Sequence, residues 1–302
     1  MLNGPTSYQG AHSQDVLSAP ALVRTYKHIR AVGTCWMAEP SLQHLEAIRI
    51  EELRQVMKLF PRGGKVLDLG AGTGCQTKML VAEGFDAVGV DLGGTLYSKA
   101  RVWPIVDYNG RELPFGDATF DVVYSSNTLE HISHVREFQT EIQRVLKPNG
   151  IAVHALPTCC WTLWSSITHM LKWWKLPAPH GHHAKNVMTE MLFYFSRAFW
   201  TRLFTETGWI VSSHQSNGLL YTGDSILDSR LSLKARKTLS LFLGSSGRIF
   251  VLKNATVDTP CPRKMRQFDA WEACEKKEAK LASHEEKSSQ VTVEPALSSS
   301  PQ

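Results

Sequence analysis

No C-x-x-C pair occurs in the 302-residue chain, and its six cysteines (Cys35, Cys75, Cys159, Cys160, Cys261 and Cys274) are irregularly spaced. That argues against a structural zinc site and against a disulfide framework. Free thiols in a reducing, cytoplasmic setting are the expectation. No run reaches the ~18 apolar residues of a membrane-spanning helix. The richest window, Pro157 to Leu176, is interrupted by Ser165, Ser166, His169 and Lys172. Met1 to Gln14 lacks the basic and apolar regions of a secretory signal. There is no internal repeat and no Arg-rich run. The formal net charge of +5, from 33 basic and 28 acidic residues, is too small an excess to mark a nucleic-acid-binding surface.

What is present suffices for a large core, with 43% hydrophobic and 20% charged residues. Residues 1–20 read as a flexible arm, 21–253 as one domain and 254–302 as a largely disordered tail rich in Lys, Glu, Ser and Pro. An amphipathic helix over 267–281 is possible in that tail. Within the domain, a helix over about 41–59 precedes a rhythm of short apolar runs and helical stretches. The runs are Lys65 to Leu69, Phe85 to Val90, Pro104 to Val106, Phe120 to Ser125 and Ile151 to Leu156. Helices are predicted over 76–83, 95–102 and 135–146. This alternation specifies an α/β fold, a doubly wound and mostly parallel sheet. After Pro157 the rhythm gives way to a Trp-rich helical cap insertion. Helices near 187–195 and 196–207 and closing strands at 209–214 and 248–253 follow. The core is therefore placed at about 41–157, and the cap with its closing strands at 158–253.

The strongest local signal is Asp68-Leu69-Gly70-Ala71-Gly72-Thr73-Gly74, which follows a predicted strand and opens a predicted helix. Glycines there let backbone approach a ligand, and a helix N-terminus offers free N–H groups. Asp91 ends the next strand, where a carboxylate can take both hydroxyls of a ribose. The spacing is G-x-G-x-G. It fits neither the G-x-G-x-x-G dinucleotide fingerprint nor a P-loop, which disfavours a nicotinamide oxidoreductase.

This segment resembles motif I of the class I S-adenosylmethionine-dependent methyltransferases. Arg111-Glu112-Leu113-Pro114-Phe115, Phe120-Asp121-Val122-Val123, Leu129-Glu130-His131 and Arg144-Val145-Leu146-Lys147-Pro148-Asn149-Gly150 follow in the order of the methyltransferase type 11 family. The resemblance covers about 62–157 and implies a Rossmann-like methyltransferase fold with S-adenosyl-L-methionine as cofactor. It also implies roles. Gly70, Ala71, Gly72 and Gly74 would pass beneath the methionine part, with Asp68 near its ammonium. Asp91 would hold the ribose hydroxyls, Leu92 would lie against the adenine, and Asn127 would border the sulfonium. Asn109 stands where many members carry an Asp that meets the adenine amino group. Its side-chain oxygen can still accept that bond.

Catalysis by in-line displacement needs mainly positioning, and no triad is evident. Glu130, His131 and Asn127 are the candidates to touch the acceptor, with a helix-start cap and a packed His as the alternative for the first two. Metal is not expected. His180-Gly181-His182-His183 lies in a Pro-flanked loop with no carboxylate close in sequence, and reads as a loop near the mouth of the site. No Asn/Asp-Pro-Pro-Tyr/Phe element follows strand four, where Ser125-Ser126-Asn127-Thr128 stands instead. A small-molecule or lipid-like acceptor is therefore expected. An RNA or protein acceptor, or a non-catalytic scaffold, is the alternative. Trp161, Trp164, Trp173, Trp174, Phe193, Phe195, Phe199 and Trp200 could pack a cap, line an acceptor pocket, or rest on a membrane through 159–176.

Overall fold

The protein is described from a computed structural model that covers residues 42–95, 97–223 and 231–255. The expected arm at 1–20 and the expected helix at 267–281 lie outside the described residues.

Seven strands form one sheet in the order β3-β2-β1-β4-β5-β7-β6. They are β1 (Lys65–Leu69), β2 (Asp86–Leu92), β3 (Ile105–Tyr108), β4 (Phe120–Ser126), β5 (Leu146–Pro157), β6 (Trp209–Ser216) and β7 (Gly247–Asn254). Strands β1 to β5 pair in parallel. Strand β7 runs antiparallel to both β5 and β6, so the two predicted closing strands form one edge of the sheet. The order reverses at β1: the chain winds outward through β2 and β3, then returns to the other side with β4. That reversal opens a crevice beyond the carboxyl ends of β1 and β4.

Alternation along the strands feeds two cores. Val66, Val122, Tyr124, Val153, Ile249 and Val251 face one side, under Leu53 and Val56 of α1 (Leu42–Val56) and Leu80 of α2 (Cys75–Ala82). Leu67, Leu69, Val123, Ala152 and Phe250 face the other. There they meet Val135, Phe138 and Ile142 of α3 (Val135–Val145) and Trp200, Leu203 and Phe204 from the later helix Arg197–Glu206. Apolar residues on both faces of a strand are what a parallel sheet covered by helices requires.

Strand β5 is followed by α4 (Cys159–Trp173), whose N-cap Thr158 accepts from the Trp161 amide. A single α turn (Val187–Thr189) then runs into a π turn (Glu190–Tyr194), and α5 (Arg197–Glu206) and α6 (Leu233–Leu243) complete the helices among the described residues.

Two local expectations shift. Strand β5 begins at Leu146, five residues before the predicted Ile151, because Phe120 already pairs with Leu146; the register then slips before Val122 meets Ile151. The helix predicted over 95–102 shortens to a 3₁₀ turn, Tyr97–Ala100, which buries no residue and so has no packing to extend it.

Candidate active site

Strand β1 ends at Leu69, and Gly70 to Gly74 carry the chain over the sheet end into α2. Gly70 has φ +74°, and a Cβ there would overlap the Thr128 side chain from the loop after β4. Backbone conformation and close packing both require glycine. Gly74 has φ +81°, and its Cβ would lie 2.8 Å from Trp103 Cβ. Here the reason for glycine is packing against the β3 side, and Gly74 does not line the cleft.

The turn is laced to β2. Gly70 and Ala71 donate to the Val90 carbonyl at 2.8 and 3.1 Å. Gly72 N–H donates to Asp91 Oδ2 at 2.5 Å, and Leu92 N–H donates to Asp91 Oδ1 at 2.6 Å. The Asp91 carboxylate thus shapes the turn, and each oxygen keeps acceptor capacity towards the cleft.

The cleft has a volume of about 390 Å³. Four successive strand ends supply it: Gly70 to Thr73 after β1, Asp91 and Leu92 from β2, Tyr108 from β3, and Ser126, Asn127 and Thr128 from β4. Helix α1 adds Leu45, Glu46 and Arg49, and His131, Ile132 and Tyr97 also reach it. Asn127 has φ +51°, in the left-handed region that Asn tolerates better than most residues.

Of the residues expected at the site, Gly70, Ala71, Gly72, Asp91, Leu92, Asn127 and His131 converge on this cleft. Asp68, Asn109 and Glu130 do not line it. Asp68 is 1% exposed beneath the turn. Its Oδ2 accepts from the Thr77 hydroxyl at 2.6 Å, and burial pushes its pKa up to about 6. It therefore ties β1 to α2. Asn109 Oδ1 accepts the Arg111 and Glu112 amides at 2.8 and 2.9 Å, closing a turn instead of facing the cleft. The neighbouring Tyr108 faces it, its hydroxyl pushed up to about 12 by burial and by Asp91.

Glu130 is fully buried behind His131, on the 3₁₀ turn Leu129–His131. Neither of its carboxylate oxygens has a hydrogen-bond partner among the described residues, and burial pushes it up to about 8. The His-rich loop folds against this turn. His182 N–H donates to the Glu130 carbonyl at 3.1 Å, and His183 Nε2 lies 3.1 Å from the Ile132 carbonyl oxygen. His180 keeps an exposed edge, but its ring sits between His131 at 4.6 Å and Trp161 at 4.7 Å. That enclosure holds it down at about 4.

The α1 residues had no sequence signal. Arg49 Nη1 donates to Glu52 Oε2 at 2.9 Å and to the Tyr221 hydroxyl at 3.2 Å. Buried Glu52 also accepts from Ser126 Oγ (3.1 Å), Asn217 Nδ2 (2.6 Å) and the Tyr221 hydroxyl (3.0 Å). Glu46 accepts from the Thr73 hydroxyl at 2.7 Å. The first helix is thereby fastened to both the glycine turn and the end of β4.

The aromatics after β5 divide. Trp161 and Phe195 are buried with Ile48, Leu219 and Tyr221, and Trp200 lies in the main core. The Trp164 indole N–H donates to the Leu243 carbonyl at 2.9 Å. None of these lines the cleft, so they pack the cap. Trp174, by contrast, is 88% exposed.

A methyltransferase-domain family profile matches residues 42–214. The chain is 40% identical over 99 residues to a demethylmenaquinone methyltransferase of Corynebacterium urealyticum, covering 32% of this chain and 43% of the relative. It is 31% identical over 126 residues to 24-methylenesterol C-methyltransferase 2 of Oryza sativa subsp. japonica, covering 38% and 35%. It is 30% identical over 167 residues to an uncharacterized methyltransferase of Mycobacterium tuberculosis, covering 49% and 63%. The chain thus spans between about a third and about three fifths of the length of these relatives. With the profile spanning more than half of the chain, and a glycine turn, an acidic β2 end and a cleft at the switch point of a seven-stranded sheet, the protein belongs to the methyltransferase-domain family of class I S-adenosylmethionine-dependent methyltransferases.

Proposed function

We propose that the chain transfers a methyl group from S-adenosylmethionine to a small-molecule or lipid-like acceptor. The observation that carries this reading is the single cleft across the ends of β1 to β4, with Asp91 entering from the β2 side and Arg49 from the β4 side. The cofactor has a ribose diol and an adenine at one end and a zwitterionic amino acid at the other. Asp91 suits the diol, and Leu92 and Tyr108 flank it as surfaces for a flat ring. Arg49 suits the carboxylate, and Glu46 takes the ammonium-facing place expected of Asp68. S-adenosylmethionine supplies an activated methyl group and its own leaving group. The chain's task is to bind, orient and exclude water. Asn127 and His131 border the space left for the acceptor.

Two relatives are named for a demethylmenaquinone and a sterol, both lipids, which favours an apolar acceptor. The surface agrees. Leu163, Met170 and Leu171 stand exposed along α4 and Trp174 at its C-cap, and Leu241 and Phe242 on α6, to which Trp164 ties α4. Among the described residues, no helix is long and apolar enough to cross a membrane. We read this face as a peripheral contact with lipid.

Isothermal titration with S-adenosylhomocysteine tests the cofactor assignment. Asp91→Ala should weaken binding ten- to a hundred-fold, since a charge-assisted hydrogen bond contributes roughly 1.5–3 kcal/mol. Unchanged affinity would sink the ribose assignment. Radiolabelled transfer into lipid, metabolite, RNA and protein fractions then identifies the acceptor class. Label in RNA or protein alone would refute the lipid-like reading, and no label in any fraction despite cofactor binding would favour a scaffold. Failure to co-sediment with liposomes would remove the membrane contact.

A further inference from the structure

Three potential metal ligands, two of them adjacent on the turn after β4 and the third fifty residues later, meet beside the cleft. One carboxylate oxygen of Glu130 and one ring nitrogen each of His131 and His180 all lie within 4.8 Å of one another. His131 Nε2 is 4.0 Å from Glu130 Oε1, too far for a hydrogen bond between them. Glu130 is 1% exposed, and both its oxygens are without partners among the described residues. A buried carboxylate is normally satisfied by donors, a cation or a metal. Here an imidazole nitrogen lies 4.0 Å from the carboxylate, and a second imidazole closes the group.

The ligands are held in place by other bonds. Buried Glu190 accepts the His180 and Gly181 amides at 2.6 and 2.7 Å, and His182 is bonded to the Glu130 carbonyl. The His180 backbone is thereby fixed opposite the 3₁₀ turn that carries the other two ligands. Arg49, a nearby cation, is neutralised by Glu52 at 2.9 Å.

We propose that Glu130, His131 and His180 bind one zinc-class divalent ion, leaving an open coordination position towards the cleft that His131 lines. Two imidazoles and a carboxylate suit such an ion, whose bonds of about 2.0–2.2 Å set its ligand atoms about 3.4 Å apart. Binding requires rotation of the two exposed histidine side chains to close the remaining distance. The open position would take water or an oxygen of the acceptor and ease loss of its proton to solvent. That consequence rests on the methyl-transfer reading; ion binding does not.

The test uses the full chain, stripped of metal with a chelator and titrated with Zn²⁺ by calorimetry and with Co²⁺ by visible absorption. The expected result is one ion per chain with the intense bands of four-coordinate cobalt. Affinity should fall at least about tenfold in Glu130→Gln and in His180→Ala, as loss of supporting groups around a metal already costs that much. His214→Ala, on the far edge strand, should bind as the unaltered chain does. Thermal melting of each variant verifies folding. No stoichiometric ion, or equal affinity in folded Glu130→Gln and His180→Ala, would overturn the proposal. Titrating S-adenosylhomocysteine into the same samples keeps the two readings apart: a chain that binds the ion but not the nucleoside would retain the metal site and lose the transfer reading.

Discussion

Glu52 is the residue through which the buried core reaches the cleft, and its removal should be felt in both. The carboxylate is fully buried and accepts from four side chains: Arg49, Ser126, Asn217 and Tyr221. Two of these, Arg49 and Ser126, line the cleft. Removing one partner of a buried ion pair costs about 3–5 kcal/mol, because the other charge is left uncompensated. The Arg49 side chain is 22% exposed, so water can reach part of the guanidinium and the charge term falls at the low end. The Ser126, Asn217 and Tyr221 donors lose an acceptor as well, each at about 1–3 kcal/mol if left dry, and these losses overlap. A net cost of about 4 kcal/mol is expected for Glu52→Ala.

For a domain of this size each kcal/mol lowers Tm by about 2–4 °C, so differential scanning calorimetry should show a fall of about 8–16 °C. Glu52→Gln keeps the shape but turns an amide N–H₂ towards donors, and should fall between the two. In a double-mutant cycle with Arg49→Met, Glu52→Ala should show coupling above about 1 kcal/mol, since the two groups touch. Cofactor affinity should drop with Glu52→Ala, although Glu52 itself does not line the cleft. A Tm within about 2 °C of the unaltered chain, or a cycle without coupling, would refute the reasoning.

Two further outcomes follow from buried groups near the strand ends. His154 is fully buried, bonded through Nδ1 to Ser125 Oγ at 2.8 Å, and held down at about 3 by burial. The unfolded chain takes up this proton below its ordinary value of about 6.5 while the native chain does not. Stability is therefore intact above pH 6.5 and erodes as the pH falls towards 3, by about 2 kcal/mol at pH 5. Urea unfolding of His154→Leu at pH 7 and pH 5 should show a pH-dependent loss smaller by about that amount; equal losses in both proteins would show that His154 does not stay neutral. Gly70→Ala combines a φ of +74° with overlap on Thr128, and should lower both Tm and S-adenosylhomocysteine affinity. A crystal of Gly70→Ala with the turn unmoved would contradict the packing argument.

How far the site could be read in advance depended on whether its determinants were local. The strand–turn–helix around Gly70 and the acid at the end of β2 are set by short-range geometry, so residue type and spacing sufficed to find them. The turn at Asn109-Gly110 was also legible in principle. An Asn before a Gly is an Asx-turn signal, and it competed with the ligand role that resemblance implied; the two loop amides won its oxygen. Asp68 was expected beside the cofactor's ammonium, yet it serves the Thr77 hydroxyl of α2 beneath the turn. Glu46 and Arg49 had no comparable signal. In sequence they are polar positions on an ordinary amphipathic helix, and they become site residues because Glu52 meets Asn217 and Tyr221, more than 160 positions away.

The same distinction explains the metal cluster. A search for ligands by spacing finds His180, His182 and His183 and no nearby acid, and so turns from a metal. The acid lies fifty residues earlier, on a turn that follows β4 because the sheet reverses at β1. The reversal places the β4 end beside the β1 end, Gly70 packs on Thr128, and the turn Leu129–His131 that follows carries His131 to the cleft with Glu130 buried behind it. The loop after α4 then returns over that turn, where Glu190 gathers the His180 and Gly181 amides. Each step is a packing or hydrogen-bonding requirement between segments far apart in the chain. A cleft assembled in this way takes its polar groups from whichever segments the topology delivers, and fold-level contacts decide which of the chemically able residues face the ligand.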